Sequence, residues 1–256
     1  LARFPVRVER YIEVFGGGGW VLFHKEPSPF EVFNDFNADL VNLYRCIRDK
    51  PEKLIQRLEY TLNAREDFEH IRKLLKSKAE LTDIQRAAGY YQLIRQSYAS
   101  TLDSFGGQPT GMWATFPVIR QAAERLQRVV IDNRDFEKVI GQYDRENSLF
   151  YCDPPYLISN GSYNDGRRGF KDWTPLEDRQ LLGLLDELDR AKIRFALSNV
   201  FVHKGMTNEE LIRWSHRYHV LHLEQNYANC SYHAKDRSGN TQEVLITNYL
   251  PPLSGE

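Results

Sequence analysis

The sequence predicts an α/β fold built on a mostly parallel sheet, and three observations carry that prediction. Short β-branched and aromatic runs recur along the chain, amphipathic helical segments alternate with several of them, and each run gives way to glycines or polar residues. With 256 residues, 41% of them hydrophobic, the chain can bury a full core as one large domain or one domain with an insertion.

Taken in order, the expected strands are 11–14, 30–33, 128–131, 149–152, 193–197, 220–223 and 244–247. Leu40, Leu43, Tyr44 and Ile47 share one helical face, as do Leu181, Leu184, Leu185 and Leu188. The second of these helices has a complete start signal: Thr174 as N-cap, Pro175 at the first helical position and Glu177 closing a capping box. From about Lys50 to Met112 the pattern changes to charged periodic segments, 66–75 and 83–98, followed by the loop-like run Ser104 to Pro109. A stretch of that length is too long for a structureless loop inside a compact domain. It is expected to be a helical insertion, 51–112, in a domain made of 1–50 and 113–256.

Composition narrows the setting. A net charge of −1 gives no general attraction to nucleic acid, so any such contact must come from a local basic face. Cys46, Cys152 and Cys230 are odd in number and lack metal-ligand spacing, which fits a reducing, cytoplasmic setting. No apolar run approaches the ~20 residues of a membrane span, and no signal peptide precedes Tyr11. The chain begins at Leu1 without an initiator Met, so residues upstream are expected to be missing.

The most informative run is Asp153-Pro154-Pro155-Tyr156, directly after the strand 149–152. The exocyclic amine of adenine or cytosine is a poor nucleophile because its lone pair is delocalised into the ring. The Asp153 carboxylate and the Pro154 carbonyl can each accept one N–H, which favours a pyramidal nitrogen whose lone pair points at an electrophilic methyl group. Pro154 and Pro155 hold the backbone rigid before a substrate arrives, and Tyr156 offers a face for stacking, worth about 1–3 kcal/mol per base. The competing interpretation is a plain strand-ending turn.

Other polar groups also follow expected strands. Phe15-Gly16-Gly17-Gly18-Gly19 follows the first, Asn34-Asp35 the second, Asp135-Phe136 the third and Ser198-Asn199 the fifth. In a parallel α/β sheet ligands bind outside the carboxyl ends of the strands, so these groups and Asp153 are expected to converge. Four glycines permit a sharp turn and close backbone approach to a ligand, although Val21 stands where a dinucleotide fingerprint would need its last glycine. Asp35 suits the two hydroxyls of a ribose, and equally an N-cap before a helix from Ala38. Asp135 could accept from an adenine amino group, with Phe15 or Phe136 against its ring, while core packing is the alternative for both phenylalanines.

No metal site is expected: His216, His219 and His222 recur every third residue, but the last two lie in or beside a strand, where that spacing separates faces. Arg72, Lys73, Lys76 and Lys78 read as a solvated helix face or as a nucleic-acid contact.

With 11–20 (Tyr-Ile-Glu-Val-Phe-Gly-Gly-Gly-Gly-Trp) and Asp153-Pro154-Pro155-Tyr156 in that order, the chain resembles the DNA adenine methyltransferase (Dam) family. The likeness extends over 34–40, 135–137, 195–199 and 243–249, nearly the whole chain outside the insertion. It implies a Rossmann-like S-adenosyl-L-methionine-dependent methyltransferase that transfers a methyl group to the N6 amine of a flipped adenine in double-stranded DNA. Under that resemblance Phe15, Gly16, Gly17, Gly18, Gly19, Asp35, Asp135, Phe136 and Asp153 face the cofactor, and Asp153, Pro154, Pro155 and Tyr156 form the catalytic loop. The insertion occupies the target-recognition position. Its segment from Ile94 to Gly107 is similar to a site-reading hairpin with Arg95, Tyr98 and Phe105 as DNA contacts, or with the aromatics packed in the insertion's own core. A bacterial or phage enzyme of restriction-modification type, monomeric or weakly dimeric, is implied. One departure is that family members begin with a segment bearing Gly-Gly-Lys, which does not precede Leu1, so cofactor binding and activity are open to question. The rival functions are methylation of an amine on cytosine, RNA or glutamine, and an inactive DNA-binding relative.

Overall fold

The structure is a computed structural model and describes residues 4–5, 7–77, 80–98, 102–107, 111–158, 162–164, 170–223 and 241–252. Lys78, Ala99, Gln108, Pro109 and Cys230 lie outside these. In chain order the elements are β1 (Arg10–Glu13), α1 (Trp20–His24), β2 (Phe30–Asn34), α2 (Ala38–Asp49), α3 (Pro51–Leu58), α4 (Arg65–Lys76), α5 (Asp83–Gln96), α6 (Phe116–Leu126) and β3 (Val129–Asp132). There follow α7 (Phe136–Tyr143), β4 (Ser148–Cys152), β5 (Ser162–Asn164), β6 (Phe170–Asp172), α8 (Pro175–Arg190), β7 (Arg194–His203), β8 (Met206–Thr207), α9 (Glu209–Ser215), β9 (His219–Leu223) and β10 (Gln242–Thr247). Each expected strand is present.

Two compact units divide the chain. The first comprises Leu1–Asn34, Arg134–Asn164 and Phe170–Glu256. Its sheet runs β2-β1-β4-β7-β10-β9, with β8 paired to β7. The pairs β2/β1, β1/β4 and β4/β7 are parallel, and β10 is antiparallel to β7 and β9. Because strand side chains alternate between faces, the sheet has two different sides. Ile12, Val14, Val32, Phe150, Cys152, Phe195, Leu197, Val244 and Ile246 pack with Val139 and Ile140 of α7, the leucines of α8, and Leu211 and Trp214 of α9. Leu181, Leu185 and Leu188, which share a face by periodicity, are buried there, and Leu184 is partly so. Thr174 and Glu177 form the expected capping box of α8.

The opposite side is polar at the β1/β2 edge. Tyr11 donates its hydroxyl to Glu13 at 2.8 Å, Lys25 Nζ meets Glu31 Oε1 at 2.5 Å, and the same ammonium lies 4.6 Å from the centre of the Tyr11 ring. Phe4 closes over Tyr151, edge to face, with ring centroids 5.6 Å apart.

The second unit comprises Asp35–Asn133 and Asp165–Gly169. Among its described residues the regular structure is helical apart from β3 and an isolated bridge between Ser97 and Phe105, and its range includes the segment expected as an insertion. Leu43, Tyr44 and Ile47 of α2 are buried, as the periodicity predicts. Gly89 of α5 admits α4 closely, since a Cβ there would lie 3.1 Å from Ile71 Cγ2. A buried ion pair, Arg86 to Asp39 at 3.3 Å, joins α5 to α2. Among the described residues no helix is long and apolar enough to cross a membrane.

Candidate active site

In the first unit, β1 leads into the glycine turn and β4 into the Asp-Pro-Pro-Tyr loop, and the two strands are hydrogen-bonded neighbours. Glu13 pairs in register with Tyr151, and the Val14 N–H continues the ladder to the Tyr151 carbonyl at 3.0 Å. The two runs therefore leave the sheet side by side.

Three of the four glycines meet constraints that favour glycine. A Cβ on Gly16 would lie 2.2 Å from the Phe33 ring, and Gly17 and Gly19 adopt φ of +49° and +66°. A left-handed backbone costs an ordinary residue roughly 1–2 kcal/mol. Gly16 donates to the Asn34 carbonyl at 2.7 Å and Gly19 to Gly16 at 2.8 Å, while Gly17 and Gly18 remain exposed with nothing near their Cβ positions. Glu13 lies beneath the turn, 2% exposed, and accepts from Tyr11 and from the backbone of Leu22 at the start of α1. Burial pushes its carboxyl up to about 8.

Asn34 ties the ends of three segments together. Its Nδ2 donates to the Val14 carbonyl at 2.8 Å and to the Arg134 carbonyl at 3.1 Å, and its Oδ1 accepts the Arg134 N–H at 2.9 Å. Asp135 follows and caps α7, accepting the Glu137 N–H at 3.2 Å. Phe15 and Phe136 are both buried and their ring centroids stand 5.7 Å apart. Trp173, which belongs to no motif in the sequence, completes a cluster at 5.6 Å from Phe15 and 5.4 Å from Phe136, with its Nε1 on Asp178 at 3.1 Å.

Asp153 is exposed as a residue, while desolvation of its carboxyl pushes the pKa up to about 6. The hydroxyls of Tyr156 and Ser198 bond it and pull the value down, whereas the charge of Glu243 raises it. Tyr156 Oη lies 3.1 Å from Asp153 Oδ1. Pro154 is buried, and Pro155 and Tyr156 are half-buried. This arrangement offers a carboxylate acceptor, a rigid backbone and an aromatic ring at one edge of the sheet.

The structure departs from expectation at two of the strand ends. Ser198 and Asn199 do not follow the fifth strand but lie within β7, which β8 and β10 extend to His203. Asp35 does not cap α2: that cap is Asn37, whose Oδ1 accepts from Asp39 and Leu40 at 3.0 and 3.1 Å. Asp35, in the second unit, is buried and accepts the Asn37 N–H at 2.7 Å.

In the second unit Tyr98 bonds Ser104 through its backbone at 2.9 Å, and Gly106 bonds Gln96 at 2.7 Å, which makes a short hairpin. Tyr98 is 64% exposed and Arg95 is exposed. Phe105 instead packs on Phe68 at 5.7 Å, beneath the Arg65 guanidinium at 5.1 Å. Arg72 of the basic stretch pairs with Glu69 at 2.7 Å and donates to the Asp103 carbonyl at 2.6 Å. His216, His219 and His222 are exposed, and among the described residues no group of three or more His, Cys, Asp or Glu is placed to hold a metal ion.

The chain is 32% identical over 260 residues to the type II methyltransferase M.FokI of Planomicrobium okeanokoites, covering 96% of this chain and 40% of that protein. It is 32% identical over 267 residues to the modification methylase StsI of Streptococcus sanguinis, covering 97% and 40%. It is 26% identical over 269 residues to the type II methyltransferase M1.LlaDCHI of Lactococcus lactis subsp. cremoris, covering 96% and 88%. The chain thus spans about two-fifths of the length of the first two relatives. The family description D12 class N6 adenine-specific DNA methyltransferase matches residues 1–229, which include the glycine turn and the whole Asp-Pro-Pro-Tyr loop, and the chain belongs to that family.

Proposed function

We propose that this chain transfers a methyl group from S-adenosyl-L-methionine to the exocyclic N6 amine of an adenine flipped out of double-stranded DNA. The observation that carries this reading is the partly desolvated Asp153 carboxylate beside the glycine turn, on adjacent parallel strands. A partly desolvated acceptor is suited to an uncharged amine, because its hydrogen bonds are stronger than in bulk water.

The residues fit the cofactor. The open space beside Gly17 and Gly18 lets a ligand approach closely, and the Phe33 ring holds the turn in shape behind Gly16. Phe15, Gly16, Gly17, Gly18 and Gly19 would hold it, with Asp135 and Phe136 toward its adenine, Asp35 on its ribose hydroxyls and Asp153 at the reacting end. When bound, S-adenosyl-L-methionine supplies a methyl group on a cationic sulfur that is a good leaving group. The protein's part is placement. Asp153 and the Pro154 carbonyl would orient the amine, Pro155 would keep the loop rigid and Tyr156 would stack on the base, which must leave the duplex to reach them. Arg95 and Tyr98 of the second unit would contribute to the DNA contact, with Phe105 packed on Phe68 behind them.

Methyl transfer from radiolabelled cofactor to DNA, followed by mass spectrometry of the nucleosides, tests this. N6-methyladenine is the expected product. Unmodified adenine from a protein that binds both DNA and cofactor, or label on cytosine instead, would overturn it.

A further inference from the structure

The face of the sheet opposite the main core carries Glu13 on β1 and Tyr151 on β4, in register with each other. Tyr151 is also in register with Ala196 on β7, so Ser198, two residues on, shares that face. Ser198 lies opposite Leu245 on β10, and Glu243, two residues before Leu245, projects to the same side. Ser198 is half-buried, and hydrogen bonding from its side chain lowers the pKa of Asp153, Tyr151 and Tyr156. One serine hydrogen cannot serve three partners. Donation to the Asp153 carboxylate is the strongest use of that hydrogen, and Tyr156 donates to the same carboxylate at 3.1 Å. Asp153 then receives two hydroxyl donors, and Glu243 is a second carboxylate acting on both Asp153 and Tyr156.

We infer that Ser198 and Glu243 are positioning residues of the amine site: Ser198 fixes the Asp153 carboxylate, and Glu243 adds the negative charge that lets Asp153 take the proton the amine releases. This deepens the methyl-transfer reading and rests on it. In the step, the nitrogen lone pair forms the N–C bond as the C–S pair leaves with sulfur. The nitrogen then carries one proton too many, which passes to Asp153 and from there to solvent at its accessible edge. Among the described residues, the other titratable groups coupled to Asp153 include Tyr151, Tyr156, the buried thiol of Cys152, and Glu13, whose carboxyl interacts with Asp153 and with Lys25.

The test is a carboxyl titration of the cofactor-free chain by NMR, with 13C-labelled aspartate and Asp153 assigned from Asp153→Asn. Glu243→Gln is expected to move the Asp153 midpoint to lower pH, Ser198→Ala to move it to higher pH, and Glu243→Asp, which keeps the charge, to leave it close to the unsubstituted value. A midpoint that stays put in both variants, or moves the same way in both, overturns the inference. Single-turnover methyl transfer to DNA gives a second readout: the acid limb should follow each midpoint, and a limb that ignores them refutes proton uptake by Asp153. If the midpoints move as described but the unsubstituted chain transfers no methyl group, the substrate reading fails while the three-residue arrangement stands.

Discussion

Asn34 grips the backbone of Arg134 with both ends of its amide, donating to the carbonyl at 3.1 Å and accepting from the N–H at 2.9 Å. The same Nδ2 reaches the Val14 carbonyl, so one buried side chain sets the spacing between the end of β1 and the segment that leads into Asp135. Asn34→Ala strands several backbone groups in the interior. The expected loss of stability is about 1–3 kcal/mol, read by urea unfolding, with weaker S-adenosyl-L-methionine binding in calorimetry. Unchanged affinity in a folded variant would show that the spacing does not matter to the cofactor.

The acidity of Asp153 sets the pH profile. Its carboxyl, pushed up to about 6 mainly by burial, is protonated below that value and loses acceptor capacity for an amine N–H. The rate of single-turnover transfer should therefore fall as pH drops through about 6 and level off above it. Asp153→Ala should lower the rate by at least 10²-fold, on the order seen when one preorganised hydrogen-bonding group is removed from an active site, with its unfolding curve little changed.

Glu13 makes the protein's stability depend on pH in the opposite sense from an ion-paired carboxylate. Burial raises its pKa from 4.5 to about 8 in the folded chain, so the folded state holds a proton that the unfolded state releases. That contribution is complete below about 4.5 and is lost as pH rises through about 8. Glu13→Gln keeps the shape without the charge. It should flatten the decline in unfolding free energy across that range by a few kcal/mol, since each tenfold difference in proton affinity between the folded and unfolded chain is worth about 1.4 kcal/mol. Parallel pH curves for the two proteins would contradict the assignment.

Tyr98 and Phe105 sit on the same hairpin and should fail differently. Tyr98→Ala removes an exposed ring and is expected to weaken DNA binding by roughly 1–3 kcal/mol with an unaltered unfolding midpoint. Phe105→Ala removes a ring packed on Phe68 and should lower stability instead, by about 2 kcal/mol, less than for a fully buried phenylalanine. Gel-shift titration and thermal unfolding of both variants separate the two effects.

Much of the fold is legible because its signals are local. The strand expected over 149–152 is present as β4 from Ser148 to Cys152, and the Thr174-Pro175-Glu177 start of α8 is a pattern confined to four residues. The strands β5, β6 and β8 escape a reading of the sequence, since runs of three and two residues have no periodicity to detect. The cap of α2 goes to Asn37 rather than Asp35 because a cap is decided by which oxygen reaches the free N–H groups, and spacing alone leaves both candidates open. Trp173 carries no sequence signal of its own, and its neighbours Phe15 and Phe136 are distant in the chain.

By itself the sequence determined the alternation of strands and helices, the glycine turn and the Asp-Pro-Pro-Tyr loop, because apolar periodicity and the conformational limits of glycine and proline act over a few residues. Only the tertiary structure decided what surrounds Asp153. Ser198 and Glu243 come from β7 and β10, and the register of β4, β7 and β10 puts them on one face of the sheet. A shift of one residue in that register would turn both side chains to the other face, since successive strand residues point in opposite directions.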